Sequence, residues 1–329
     1  MSPWHEPAVP RGLLRVGRHL VLVVAAGLVW PTVRVTAADK PPAATAEAVA
    51  WVTPAVRARR VTHHTFDSPA VKTAVSYHLY TPAMHDREPD RRFPVVYWLH
   101  GSGGGLQGIP QVARHFDAAI EAGRIPPTFV VFVNGLREGM YVDWKDGSMP
   151  IETVIVKDLV PHIDATHRTI PRREGRALDG FSMGGYGAAR LGFKFPEMFR
   201  TVSIVGAGPL QPDLIEQAPR AGRRRAEEVL ARVYGGDRAF FTAVSPRTLA
   251  RDNARVISAG SLVRIAIGDA DETFDNNRAF HEYLDSLGIA HEWIVLPRIG
   301  HDPAAVVDAL GDATWTFYRS AFAMDADAP

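Results

Sequence analysis

The 329-residue chain has no cysteine. That absence excludes a disulfide framework, a thiolate nucleophile, Cys-ligated zinc and a lipid-bearing N-terminal cysteine. Any covalent chemistry must use another nucleophile. An excess of either charge is missing too, since 37 Lys and Arg stand against 36 Asp and Glu, a net charge of +1. So even a balance gives no field suited to a polyanion, and no nucleic-acid partner is expected. The one basic run, 220–225 (RAGRRR), reads as the solvated start of a helix. The apolar run 20–30 (LVLVVAAGLVW) falls short of the roughly 20 residues that a membrane span needs. No repeat of fixed period is visible.

What is present begins with that same short run. Arg11, Arg15 and Arg18 precede it, and Val35 and Ala37 supply small residues at the −3 and −1 positions of a cleavage site. Residues 1–37 therefore have the form of a signal peptide, which predicts a secreted or periplasmic protein with no stable membrane span after cleavage. Residues 38–60 are rich in Ala and Pro without a sustained period of 2 or 3.6, and read as a linker. The remainder, 61–329, is expected to form one α/β domain, and a 46% hydrophobic composition suffices for its core.

The pattern inside that domain changes once. In TAVSYHLYTP, Val75, Tyr77 and Leu79 alternate with Ser76, His78 and Tyr80, as in a half-buried antiparallel strand, with HHTFDSPAV as its partner. Beyond it, VVYWL, FVVFV, VSIVG, VRIAIG and WIVLP are apolar without alternation, which suits strands covered on both faces. Helical stretches lie between them. Phe280, Tyr283, Leu284 and Leu287 form one apolar face, with Gly288 placed to end that helix. Strands alternating with helices predict a mostly parallel central sheet, helices on both faces and an antiparallel N-terminal edge. Residues 211–256 interrupt the alternation and read as an insertion.

ALDGFSMGGYG (177–187) holds a serine in the spacing G-x-S-x-G, between a strand and a helix. A turn that tight drives Ser182 toward positive φ and leaves no room for a Cβ at Gly180 or Gly184. Its hydroxyl would stand at the carboxyl end of the sheet, near the positive end of the next helix. A serine needs a base and an orienting acid to become nucleophilic. RIGHDP places His301 just past the last buried strand, and AIGDADET places Asp269 and Asp271 just past the one before. LHGSGGG, following an early strand, supplies a glycine loop where the N–H of Ser102 could join that of Met183 as an oxyanion hole.

LHGSGGG, DGFSMGGYGA, GDADETFDNN and GHD, in this order, resemble the esterase D, feruloyl esterase and mycolyltransferase-like family of α/β-hydrolases. The resemblance runs from about Val61 to Phe322. It implies the α/β-hydrolase fold, Ser182 as nucleophile, His301 as base and Asp271 as triad acid, with Asp269 as the alternative. No cofactor or metal is implied. The expected activity is hydrolysis of a carboxylic ester through an acyl-enzyme. The substrate would be a small-molecule or polysaccharide ester, carrying acetyl or feruloyl groups for example. Acyl transfer of the mycolyltransferase type, or a secreted binding protein on the same fold, are the alternatives.

Other patterns carry less. GGGLQG (103–108) satisfies G-x-G-x-x-G, but Pro110 follows closely and the next strand ends in Asn134 rather than an acid, so a dinucleotide site is not expected. Phe274 occupies the position where a calcium loop beginning at Asp269 needs glycine. His63 and His64, adjacent on a strand, face opposite ways. His100 reads as a hydrogen-bonding scaffold. Tyr141 and Trp144 either line a substrate pocket or pack beneath a loop.

Overall fold

The unbroken apolar runs become the middle of a sheet. In the computed structural model, which describes residues 51–218 and 222–323, eight strands are ordered β1-β2-β4-β3-β5-β6-β7-β8. They are β1 Val61–Ser68, β2 Thr73–Tyr80, β3 Val95–Leu99, β4 Phe129–Val133, β5 Arg176–Phe181, β6 Thr201–Val205, β7 Leu262–Gly268 and β8 Glu292–Leu296. β1, β2 and β4 pair antiparallel, and every other pairing is parallel. The expected signal segment, 1–37, and part of the linker, 38–50, lie outside the described residues.

Helices cover both faces. α1 (Met84–Arg87) is a single turn, and α2 (Ile109–Glu121) packs Ile109, Ala113 and Phe116 against Val96, Val130 and Ala177 on one face. The opposite face carries α3 (Ile151–Thr153), a π-helical turn (Val154–Leu159), α4 (Val160–Thr166) and α5 (Met183–Lys194). Between β6 and β7 come α6 (Arg223–Val233), α7 (Arg238–Ala243) and α8 (Pro246–Ser258). α8 shares the core with α5 as a crossover helix does, so only the part of 211–256 before α8 departs from the strand–helix alternation. α9 (Phe274–Ser286) precedes β8, and α10 (Pro303–Phe322) returns to the α2 face through Phe317, Tyr318 and Phe322.

Two expectations need correction. β2 is buried on both faces rather than one, with Ser76, His78 and Tyr80 as hidden as Val75, Tyr77 and Leu79. The cover comes partly from residues 51–60, expected as linker. The Thr53 N–H donates to Ser76 Oγ at 2.8 Å, the Val56 N–H to Nε2 of His78 at 3.2 Å, and the Trp51 carbonyl accepts from the Ser76 N–H at 2.8 Å. Tyr80 completes it by donating to Asp117 of α2 at 2.7 Å. Residues 51–60 thus belong to the folded unit. β8, expected to be covered on both faces, is instead an edge strand on which Val295 is 40% exposed.

The parallel register aligns the strand ends. Leu99 lies beside Gly180, Phe181 beside Val205, and Gly268 beside Leu296. Whatever follows β3, β5, β6, β7 and β8 therefore meets at one rim. Among the described residues no helix is long and apolar enough to cross a membrane.

Candidate active site

Ser182 occupies the turn between β5 and α5 with φ 59° and ψ −120°. Backbone packs against that turn from two sides. A Cβ on Gly184 would lie 1.9 Å from the Leu99 carbonyl oxygen, and one on Gly180 would lie 2.2 Å from the carbonyl oxygen of Gly184. The Ser182 N–H donates to Val205 at 3.0 Å, and the Ser182 carbonyl accepts from Tyr186 N–H at 3.0 Å. The serine is thus fixed to β6 on one side and to its own helix on the other.

The loops after β7 and β8 are laced together. The Asp269 N–H donates to Leu296 O at 3.0 Å, the Ala270 N–H to Ile299 O at 3.0 Å, and Oδ1 of Asp269 accepts from the Arg298 N–H at 2.6 Å. Gly268 leaves space for the Ile299 carbonyl, which would lie 1.9 Å from a Cβ there. This lacing delivers His301 to Asp271, not to Asp269. Nδ1 of His301 donates to Oδ2 of Asp271 at 2.7 Å, and Nε2 lies 2.9 Å from Oγ of Ser182. Asp269 is exposed and serves the loop.

The electrostatics follow from these contacts. Burial alone would raise the pKa of the Asp271 carboxyl, but hydrogen bonds from His301 and from the N–H and hydroxyl of Thr273, the latter both at 2.8 Å, leave it below its ordinary value. The carboxylate accepts from Nδ1–H, so Nε2 of the neutral ring is the acceptor for the serine hydroxyl. The hydrogen bond to Asp271 raises the pKa of His301, with burial opposing it in part. Phe181 lies against the imidazole with ring centroids 4.8 Å apart and the planes tilted by 39°.

The glycine loop after β3 rests against the serine, with Ser182 Cβ 3.4 Å from where a Cβ on Gly101 would be. Met183 begins α5, where a first-turn N–H has no partner within the helix. Ser102 follows Gly101 and is exposed. Beneath this loop His100 is buried with both ring nitrogens bonded to backbone. Nε2 accepts from the Gly135 N–H at 3.3 Å, which leaves Nδ1 to donate to the Gly101 carbonyl at 2.8 Å. Burial lowers the pKa of His100 and keeps this ring neutral.

Tyr141 is closed to solvent. It is 0% exposed, its ring fills the room left by Gly135 and Gly187, and its hydroxyl donates to the His100 carbonyl at 2.9 Å. Arg190 of α5 grips the Tyr141 carbonyl at 2.9 Å and pairs with Glu152. Of the two readings open for Tyr141, the contacts are those of packing beneath a loop, as a strut between the serine's helix and the glycine loop. Trp144 is partly buried, with its indole N–H directed to the Gly139 carbonyl at 3.4 Å and the Arg232 guanidinium 5.8 Å above its ring.

Sequence reasoning passed over two supports. Thr273 holds the second oxygen of Asp271, and buried Asn277 holds Thr273 by donating to its carbonyl at 3.0 Å while bonding the Ala207 carbonyl at 2.7 Å. Both lie within GDADETFDNN, where the signal was available.

A central sheet in this strand order, with a serine turn after β5 and an imidazole after β8, defines an α/β-hydrolase. A family model described as "Putative esterase" matches residues 68–325, and the chain belongs to that family. Esterase Rv1288 of Mycobacterium tuberculosis is 31% identical over 239 residues, 65% of this chain and 50% of that protein. An endo-1,4-beta-xylanase/feruloyl esterase of Xylanibacter ruminicola is 29% identical over 172 residues, 50% of this chain and 23% of that one. The chain spans about half the length of the mycobacterial relative or less than a quarter of the xylanase. Among solved structures, a ferulic acid esterase superposes with a TM-score of 0.66 at 21% identity, covering 80% of this chain and 98% of that one.

Proposed function

We propose that the protein is a secreted serine carboxylic-ester hydrolase. The observation that carries this reading is His301 bridging Ser182 and Asp271 at 2.9 and 2.7 Å. His301, held by Asp271, takes the proton of Ser182 as Oγ attacks the ester carbonyl. The backbone N–H groups of Met183 and Ser102 receive the oxyanion. The imidazolium then protonates the departing alcohol, leaving an acyl-enzyme on Ser182. Water, deprotonated by the same ring, releases the acid and restores the serine. This sequence needs no cofactor.

Two observations support an acetyl or feruloyl ester of polysaccharide as substrate. One is the feruloyl esterase function in the name of the Xylanibacter relative, and the other is the export signal expected at 1–37. The test is kcat/KM across p-nitrophenyl acetate, longer p-nitrophenyl esters, methyl ferulate and acetylated xylan, for the native enzyme and Ser182→Ala. Turnover of an ester by the native enzyme alone supports the mechanism. Equal turnover by Ser182→Ala removes the serine from it, and preference for a long acyl chain over acetate and ferulate overturns the substrate class.

A further inference from the structure

At the opposite rim of the sheet, three side chains with metal-binding atoms converge. His281 and Asp285 lie one turn apart on α9, and His291 lies in the connection just before β8. One potential ligand atom from each falls within 4.8 Å of the others. β8 runs parallel to β7, so His291 stands at the strand end away from Asp271 and His301.

The two imidazoles are already oriented. His291, its side chain only 1% exposed, donates Nδ1–H to the Ile289 carbonyl at 2.8 Å. A carbonyl can only accept, so Nε2 of His291 carries no hydrogen and presents its lone pair to Nδ1 of His281, 2.8 Å away. A backbone carbonyl fixing one ring nitrogen while the other is free to ligate is the arrangement that metal-binding histidines use. His281 is held by Trp293, stacked on it at 4.7 Å with the rings 1° from parallel. The Asp285 carboxylate stands nearest the other nitrogen of each ring, 3.6 Å from Nε2 of His281 and 3.9 Å from Nδ1 of His291, within hydrogen-bond range of neither. It is 60% exposed, which leaves a way in from solvent.

We propose that His281, Asp285 and His291 form a binding site for a divalent transition-metal ion of the zinc class, joining α9 to the edge strand β8. Two imidazoles and one carboxylate are a borderline-soft donor set that suits Zn²⁺ and leaves a fourth position for water. Ligands at about 2.0–2.1 Å from one ion stand roughly 3.4 Å apart in a tetrahedron. Closing on the ion therefore means a small separation of the two rings and a rotation of the exposed Asp285 side chain from the far nitrogen of each ring to the two that face each other. The hydrogen on Nδ1 of His281 moves to Nε2, on the side of Asp285. The site lies away from Ser182 and fastens the helix whose N-terminal end, Thr273 to Asn277, carries the supports of Asp271.

The test is calorimetric titration of Zn²⁺ into the full chain after EDTA treatment and dialysis at neutral pH, with melting temperature read in parallel. The native protein is expected to bind one equivalent and to melt higher with it. Asp285→Asn changes an exposed side chain and should fold normally, and His281→Gln is the second variant. Each is expected to weaken binding at least about tenfold and to abolish the rise in melting temperature. No saturable binding by the native chain, or binding equally tight in both variants, overturns the site.

Discussion

Asp271, its carboxylate wholly covered, receives Nδ1–H of His301 at 2.7 Å, while the imidazole itself remains about one-third exposed. The carboxylate is sheltered and the imidazole is open to solvent. Because the bond raises the pKa of His301, the neutral ring that can accept a proton predominates only above the ordinary histidine value of about 6.5. The kcat/KM profile should therefore climb with pH to a midpoint above that value. Asp271→Asn removes the raising charge and the acceptor for Nδ1–H. Its midpoint should move down, and kcat should fall by about 10⁴-fold, the scale of losing the correct tautomer. An unmoved midpoint would show that the limb belongs to another group.

Ser182→Ala should lower kcat by roughly 10⁶-fold if the three residues act as one unit. The backbone at φ 59° is strained for alanine as it is for serine. Stability by urea unfolding should then stay within about 0.5 kcal/mol. A large loss of stability alongside the loss of rate would mean that the hydroxyl holds the turn instead.

Tyr141→Phe separates strut from substrate contact. The variant keeps the ring that fills the space at Gly135 and Gly187 but leaves the buried His100 carbonyl without its donor. Unfolding should cost about 1–2 kcal/mol less than in the native protein. The reduction in kcat should be the same for every ester in a series, with KM unchanged. A KM that changes with acyl group would restore Tyr141 to the pocket.

How much of this was legible in the residues divides along physical lines. Ser182 and His301 could be placed because local rules govern them: a strand–helix turn needs glycines, and residues just after parallel strands share a rim. The choice between Asp269 and Asp271 depended on how two loops lace together, a contact across about thirty residues that spacing does not encode. Residues 51–60 have no period to read, because they are fastened by bonds to Ser76 and His78 and by the separate side chains of Trp51 and Val56 rather than by a continuous apolar face. Tyr141 carries the ambiguity of every aromatic beside a loop, since burial there is decided by Gly135, Gly187 and the His100 carbonyl.

The antiparallel edge should make the fold sensitive to acid. His78, buried by residues 51–60, and His167, hydrogen-bonded to Tyr77 at 3.0 Å, both have pKa values lowered to about 4, with burial the main cause. His64 and His162 are lowered as well, again chiefly by burial. For a base whose folded pKa lies below its unfolded value, protons bind the unfolded chain more tightly. Their contribution is therefore complete above pH of about 6.5 and is lost as pH falls toward about 4. Melting temperature should decline steadily through that window, and His78→Gln should decline less steeply than the native protein. Parallel curves would place the acid response elsewhere.

Gly184→Ala tests the close approach behind the serine turn. The added methyl carbon would sit 1.9 Å from the Leu99 carbonyl oxygen and 2.9 Å from that of His100. Both obstacles are backbone, in β3 and at the start of the glycine loop, so no rotamer change relieves them. α5 has to move away from β3, and that displaces Ser182 from His301 and Met183 from the loop. The expected loss is about 3 kcal/mol or more of stability, at the upper end for overpacking. Alanine at Gly123, where nothing lies within 4 Å, meets only the strain of φ 67° and serves as the control. Its cost should be nearer 1–2 kcal/mol, with esterase activity kept. If Gly184→Ala retained native stability and rate, the sheet and helix behind Ser182 would not be packed as closely as described.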